Sequence, residues 1–123
     1  MKPIRKWLES FKKCDIEIES IRLELLFFER NLALCAEPRI SELKKRQEQL
    51  IENKITLANI IDQINDPIAR SIYRMRYITG EKWETIASKC GKMSERNAHR
   101  IHNLALPEVE KLYRKFVLDK NKK

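Results

Sequence analysis

From Ile4 onward, apolar residues return at alternating intervals of three and four: Ile4, Trp7, Phe11, Cys14, Ile18, Ile21, Leu25, Phe28, Leu32 and Cys35. An α-helix turns through about 100° per residue, so this spacing keeps one narrow apolar stripe on one side of a long helix. Pro38 and its surroundings interrupt the pattern. A second stripe then runs through Ile40, Leu43, Gln47, Leu50, Lys54, Leu57, Ile61 and Ile64. Two of its positions, Gln47 and Lys54, are polar, which predicts a weaker seam. The short break between the stripes predicts an antiparallel helical hairpin, coiled-coil-like, over residues 1–65. Each arm also carries apolar residues off its seam: Leu23, Leu26, Phe27 and Leu34 on the first, Ile51, Ile55 and Ala58 on the second. Two helices cannot bury a second face by themselves, so the surplus predicts packing on the rest of the chain or, preferentially, self-association, with a homodimer expected.

After residue 65 the segments shorten. Asp66 precedes Pro67, a side-chain cap followed by a residue suited to the first helical position. A helix is predicted from there, with Ile68, Ile72, Met75 and Tyr77 inward and Arg70, Arg74 and Arg76 as basic positions, ending near Thr79-Gly80. Trp83, Ile86, Ala87 and Cys90 then mark a short helix that ends at Gly91, where glycine takes the positive φ of a tight turn. Met93 fills the angle between helices and Ser94 caps the next one. In that next helix Ala98, Ile101, His102 and Ala105 share the buried side. Arg96, Arg100 and Asn103 lie opposite, with His99 at one edge and Asn97 on the other flank. Helix, glycine-containing turn and capped helix is the order of a helix-turn-helix, whose second helix enters the major groove. Pro107 either kinks this helix or begins another, and Val109, Leu112, Tyr113, Phe116 and Val117 form a last amphipathic stripe.

Composition narrows this picture. With two glycines and four prolines in 123 residues, the chain lacks the turns that an all-β fold requires, and an all-α class follows. The net charge of +8 is unevenly placed: residues 1–65 hold 12 Lys/Arg against 11 Asp/Glu, whereas residues 66–123 hold 14 against 7. A basic half on a balanced one predicts contact with a polyanion, here double-stranded DNA. The predicted DNA-contacting residues are Lys89, Lys92, Ser94, Glu95, Arg96, Asn97, His99, Arg100 and Asn103. Arginine pairs bidentately with guanine and asparagine with adenine, while a carboxylate accepts from cytosine. The order divides into 1–65, a packing and oligomerisation hairpin, and 66–123, a DNA-binding part with a C-terminal helix.

Residues 66–106, DPIARSIYRMRYITGEKWETIASKCGKMSERNAHRIHNLAL, resemble region 4 of the bacterial sigma-70 family. They are more similar still to the sigma-like regulators of Gram-positive phages and mobile elements, the ArpU and RinA type. Arg70, Arg76-Tyr77, Gly80, Trp83, Ile86-Ala87, Ser94-x-Arg96, Arg100-Ile101-His102 and Ala105-Leu106 carry the likeness, over about a third of the chain. Lys82 and Thr85 stand where that family has a hydroxyl cap and a glutamate, and Asn97-Ala98 where it has Thr-Val. The resemblance implies a sequence-specific transcription regulator of phage or mobile-element genes, with RNA polymerase as a further partner. A small terminase-like DNA-packaging subunit and a polymerase-binding adaptor that never touches DNA are the alternatives.

Chemistry beyond binding is not indicated. There is no phosphate-binding glycine loop and no nucleophile–base set, so no catalytic residue and no cofactor are predicted. His99 and His102 stand three apart but lack an acidic or thiolate companion, so no metal is expected. Cys14, Cys35 and Cys90 are odd in number, widely spaced and on apolar stripes, and read as small buried hydrophobes. No apolar run reaches the roughly 18 residues of a membrane span and no signal-peptide pattern opens the chain, which predicts a cytoplasmic location.

Overall fold

A computed structural model of the protein describes residues 3–31 and 36–118. Within them every regular element is helical. Two long helices, α1 (Pro3–Arg30) and α2 (Glu37–Asp62), precede three in the basic half: α3 (Pro67–Tyr73), α4 (Trp83–Lys89) and α5 (Glu95–Tyr113). The expected seam residues Leu32 and Cys35, with Leu34, lie outside the described residues.

At 1.5 Å per residue α1 and α2 are each about 40 Å long. They run in opposite directions, because partners that rise in number along α1 fall along α2. Glu24 pairs with Arg39 (2.7 Å), Glu17 with Arg46 (3.1 Å), and Cys14 Sγ donates to the Leu50 carbonyl at 3.7 Å. The Arg39 guanidinium holds the Glu24 carboxyl below its ordinary range. These ion pairs are exposed and screened by salt, so they fix register more than stability. Stability comes from the seam between them, where Ile4, Phe11, Cys14, Ile21 and Leu25 meet Ile40, Leu43, Leu50, Leu57 and Ile61, all buried. Trp7, Ile18 and Phe28 are only half-buried on the same stripe. Leu8 and Ile60 are buried beside it because a third layer covers that flank.

The third layer is the basic half. Asp66 caps α3, accepting from the Ala69 amide at 3.1 Å. The inward residues of α3 are Ala69, Ile72 and Tyr73, not Ile68, which is 46% exposed. The helix then widens into a π turn over Arg74–Ile78 that brings Tyr77 onto the buried side. Glu81 N–H closes the end on the Met75 carbonyl (2.8 Å), with Gly80 at φ 72°. A Cβ at Gly80 would meet Asp15 Oδ2 at 3.4 Å, so position 80 is held to glycine mainly by its left-handed backbone.

Lys54, a polar residue on the second stripe, explains how α2 tolerates it. Its ammonium is mostly buried, donating to the Asp15 carboxylate on α1 and to the Ile78 carbonyl at 2.8 Å. One side chain therefore ties three elements, and a buried charge is satisfied on two sides as it must be. The apolar core is continuous across residue 65. Tyr73, Tyr77, Leu106, Val109 and Tyr113 join the seam of α1 and α2, and the rings of Trp7 and Tyr113 lie 4.8 Å apart. Pro107 does not begin another helix. It lies within α5 on the solvent side, and the helix continues to Tyr113 and a π turn, Arg114–Leu118. The late stripe of Val109 and Tyr113 thus packs back onto the long helices. Ile16, Leu23 and Phe27 of α1 and Ile51 and Ile55 of α2 stay exposed.

Candidate nucleic-acid interface

A second, smaller core builds the surface that carries most of the candidate residues. Ile72, Ile86, Ala87 and Ala98 are buried together, flanked by Met75, Trp83, Cys90, Met93 and Ile101. Alanine at both 87 and 98 lets α4 and α5 approach closely. Fully burying Ile72 and Ile86 contributes about 1.5–3 kcal/mol each, which holds this corner rigid against the larger core.

The turn between α4 and α5 is closed by Lys92 N–H on the Ser88 carbonyl (3.2 Å) and Met93 N–H on the Ala87 carbonyl (3.1 Å). Its geometry needs two left-handed residues, not one: Gly91 at φ 87° and Lys92 at φ 57°. Only the first was legible as a glycine. A side chain in this region costs about 1–2 kcal/mol, against about 0.5–1 kcal/mol for the extra freedom glycine loses on folding. Lys92→Gly is therefore expected to raise stability by about 0.5–1 kcal/mol, measured as the denaturation midpoint. A lowered midpoint would show that the Lys92 backbone is not strained.

Ser94 caps α5: its Oγ accepts from the Asn97 amide at 3.1 Å, and Glu95 follows in the first turn, where the helix dipole favours a carboxylate. Beyond the cap the two sides of α5 separate. Ala98, His102, Leu106 and Val109 are buried, whereas Arg96, His99, Arg100, Asn103, Leu104, Pro107 and Lys111 face solvent. Lys89, Lys92, Ser94 and Glu95 are exposed beside the start of this face. Among the described residues, Arg96 and Lys92 have no ion-pair partner, and Lys89 pairs with Glu81 at 3.4 Å.

Four further candidates are engaged with their own helix or its neighbour. Arg100 donates from Nε (3.0 Å) and Nη2 (2.8 Å) to Asn97 Oδ1, while Asn97 Nδ2 reaches Met93 Sδ at 3.7 Å. His99 stacks on Trp83 with ring centroids 3.8 Å apart, and the Arg76 guanidinium lies 5.1 Å from the same indole. Arg76 also donates to the Glu81 carbonyl (3.1 Å). The Arg76–Trp83–His99 stack joins three elements and was not legible from spacing, since Trp83 reads simply as an inward apolar residue. Asn103 is exposed, but its Oδ1 lies 3.1 Å from His102 Nδ1.

His102 is the polar centre beneath this surface. Tyr77 Oη is 2.7 Å from Nε2, the Tyr73 ring stacks on the imidazole at 4.5 Å, and Tyr73 O–H donates to the His102 carbonyl at 2.8 Å. An amide oxygen only accepts, so Nδ1 carries the proton donated to Asn103 and Nε2 accepts from Tyr77. This is a neutral imidazole, and burial accordingly lowers its pKa from the ordinary value to about 4. The same burial raises the Tyr77 hydroxyl to about 12 and pushes Tyr73 higher still. The network is a satisfied, buried polar core. Cys14 is likewise buried, its thiol shifted upward by burial, and Cys90 is half-buried; Cys35 lies outside the described residues. Among the described residues, no group of three or more His, Cys, Asp or Glu is arranged to hold a metal ion. No described helix is long and apolar enough to cross a membrane.

Fold and surface together define an all-helical protein with a cationic outer face on its fifth helix. Residues 37–110 match the model of a family described as a protein of unknown function (DUF1492), and the chain belongs to that family. The match begins with α2 and ends within α5, leaving α1 outside it. No curated protein and no solved structure matches the chain.

Proposed function

We propose that the protein is a sequence-specific, double-stranded DNA-binding regulator of transcription, without catalytic activity, in which α4, its turn and α5 act as a helix-turn-helix. The observation that carries this reading is the outer face of α5. Arg96, Arg100 and His99 are exposed there, on a helix whose other side is locked into two cores. A solvated face would serve equally well with mixed charges, yet Glu95 is the one carboxylate among the exposed residues of α5. In this reading α5 lies in the major groove, Arg96 and Arg100 meet base edges, and Lys89 and Lys92 neutralise phosphates. The likeness of residues 66–106 to sigma region 4 supports it, and adds RNA polymerase as a partner.

The antiparallel pair α1–α2 is the proposed oligomerisation hairpin. Its support is the set of large apolar side chains left in solvent: Ile16, Leu23, Phe27, Ile51 and Ile55. A homodimer would present two α5 helices to successive half-sites. Selection from a random duplex pool tests the whole reading. The expected result is an enriched, two-fold site whose affinity falls steeply with salt, by a slope of about −0.9 per phosphate contacted. A salt-independent or undetectable interaction would overturn it in favour of a protein adaptor. A ring of many subunits in light scattering would favour a packaging component.

A further inference from the structure

The contact between Asn97 and Arg100 assigns these residues different jobs. Arginine carries five N–H donors in a rigid fork, and here one N–H on Nε and one on Nη2 converge on Asn97 Oδ1. That occupies one edge of the guanidinium. The end-on edge, formed by Nη1 and the second N–H of Nη2, remains as two parallel donors. On the opposite side of the brace, Asn97 is half-buried against the turn and its own Nδ2 is directed to Met93 Sδ. Both ends of the carboxamide are thus used within the protein. An asparagine that reads adenine must offer oxygen and nitrogen together to one base, and the Asn97 oxygen already accepts twice from Arg100.

We infer that Asn97 is a positioning residue that holds Arg100 so that its end-on edge reads one guanine, a conclusion that rests on the proposed DNA-binding role. Two parallel donors match the O6 and N7 acceptors of guanine in the major groove, and no other base presents that pair. The brace also removes much of the rotamer freedom that an exposed arginine would otherwise lose on binding. Arg96, which has no such brace in the described structure, tolerates more than one partner. Specificity at one base pair therefore belongs to a pair of side chains, only one of which touches DNA.

The test is a double-mutant cycle on the full chain, read base by base. The site selected by the wild-type protein is varied at each position, and affinities are measured for wild type, Asn97→Ala, Arg100→Ala and the double variant. Arg100→Ala should lower the preference for guanine at a single position by about tenfold or more. Asn97→Ala should weaken preference at that same position, and should add nothing once Arg100 is absent. Asn97→Asp, which keeps an oxygen for Arg100 to bond, should retain the guanine preference while lowering affinity for every sequence. The inference is overturned, with DNA binding intact, if Asn97→Ala relaxes a different position, or still costs affinity in the Arg100→Ala background. Uniform loss across all sequences on Arg100→Ala overturns it too, since Arg100 would then hold a phosphate. If wild type selects no site at all, the DNA-binding role itself fails, and the inference with it.

Discussion

Acidification from pH 7 to pH 4 is expected to remove about 3 kcal/mol of folding stability through His102 alone. The imidazole is buried among Tyr73, Tyr77 and Trp83, and its folded-state pKa is lowered to about 4 by that burial. In the unfolded chain a histidine titrates near 6.5. Above that value His102 is neutral in both states and the fold loses nothing. Between roughly 6.5 and 4 the unfolded chain takes up a proton that the folded chain refuses, so unfolding is favoured increasingly as pH falls. Below about 4 both states are protonated and the loss is complete. A gap of about 2.5 between the two pKa values corresponds to about 3 kcal/mol, a large part of the stability of a chain this size. The measurement is the denaturant midpoint at several pH values for wild type and for His102→Gln, whose amide oxygen still accepts from Tyr77. Carboxylates titrate in both proteins, so the difference between the two curves isolates His102. Parallel curves would show that the imidazole is not the acid-sensitive group.

His102 also shows where sequence reasoning reaches its end. Its position on the inner side of α5 follows from periodicity, because 98, 101, 102 and 105 fall on one arc. Its partners do not: Tyr77 reads as inward, but no local pattern shows that it meets an imidazole 25 residues further on, across the π turn at Arg74–Ile78. A widened turn rotates everything after it by a fraction of a residue, which a count at 100° per residue cannot foresee. Ile68 and Tyr73 precede that turn and show a different limit: the core covers α3 through Ala69, Ile72 and Tyr73, so Ile68, inward by the spacing of 68, 72 and 75, is exposed and Tyr73 is wholly buried. The heptad seams of α1 and α2 were legible because a long regular stripe averages out local deviations. Lys54 was legible only as a weakness of the second stripe. Its role depends on Asp15 and the Ile78 carbonyl, which lie 39 and 24 residues away in sequence, and no local pattern encodes contacts of that range.

The candidate face divides in the same way. Which residues of α5 point outward is a matter of angle, and Arg96, His99, Arg100 and Asn103 are all exposed. What each is doing there is a matter of neighbours. Asn97 braces Arg100, Asn103 accepts from the His102 N–H, and His99 rests on Trp83, so part of a uniform-looking polar face is already engaged within the protein. The second core bears on this directly. Because Ile86 and Ala98 are fully buried, the orientation of α5 is set by packing and the turn, not by the polar residues that stud its surface. Changing those surface residues should therefore leave the fold unaltered, so that the proposed DNA binding can be tested apart from it.

That separation gives the strongest test of the face. Replacing Arg96 and Arg100 together by glutamate is expected to abolish specific DNA binding while leaving the protein folded. Each lost bidentate pairing costs about 1–3 kcal/mol, and a carboxylate facing the phosphates adds repulsion to that loss, so affinity should fall by about a thousandfold or more at moderate salt. Inside the protein little changes. Both arginines are exposed, the contact given up is that of Arg100 with Asn97, and a carboxylate at position 96 suits the first turn of a helix. Two carboxylates one turn apart repel by only about 0.2–0.5 kcal/mol. Fluorescence anisotropy on the selected duplex and a thermal melt, run on the same preparation, read the two effects separately. Retained affinity with an unchanged melt would mean that DNA does not meet α5 from this side. Loss of both would mean that the arginines hold up the fold, contrary to their exposure.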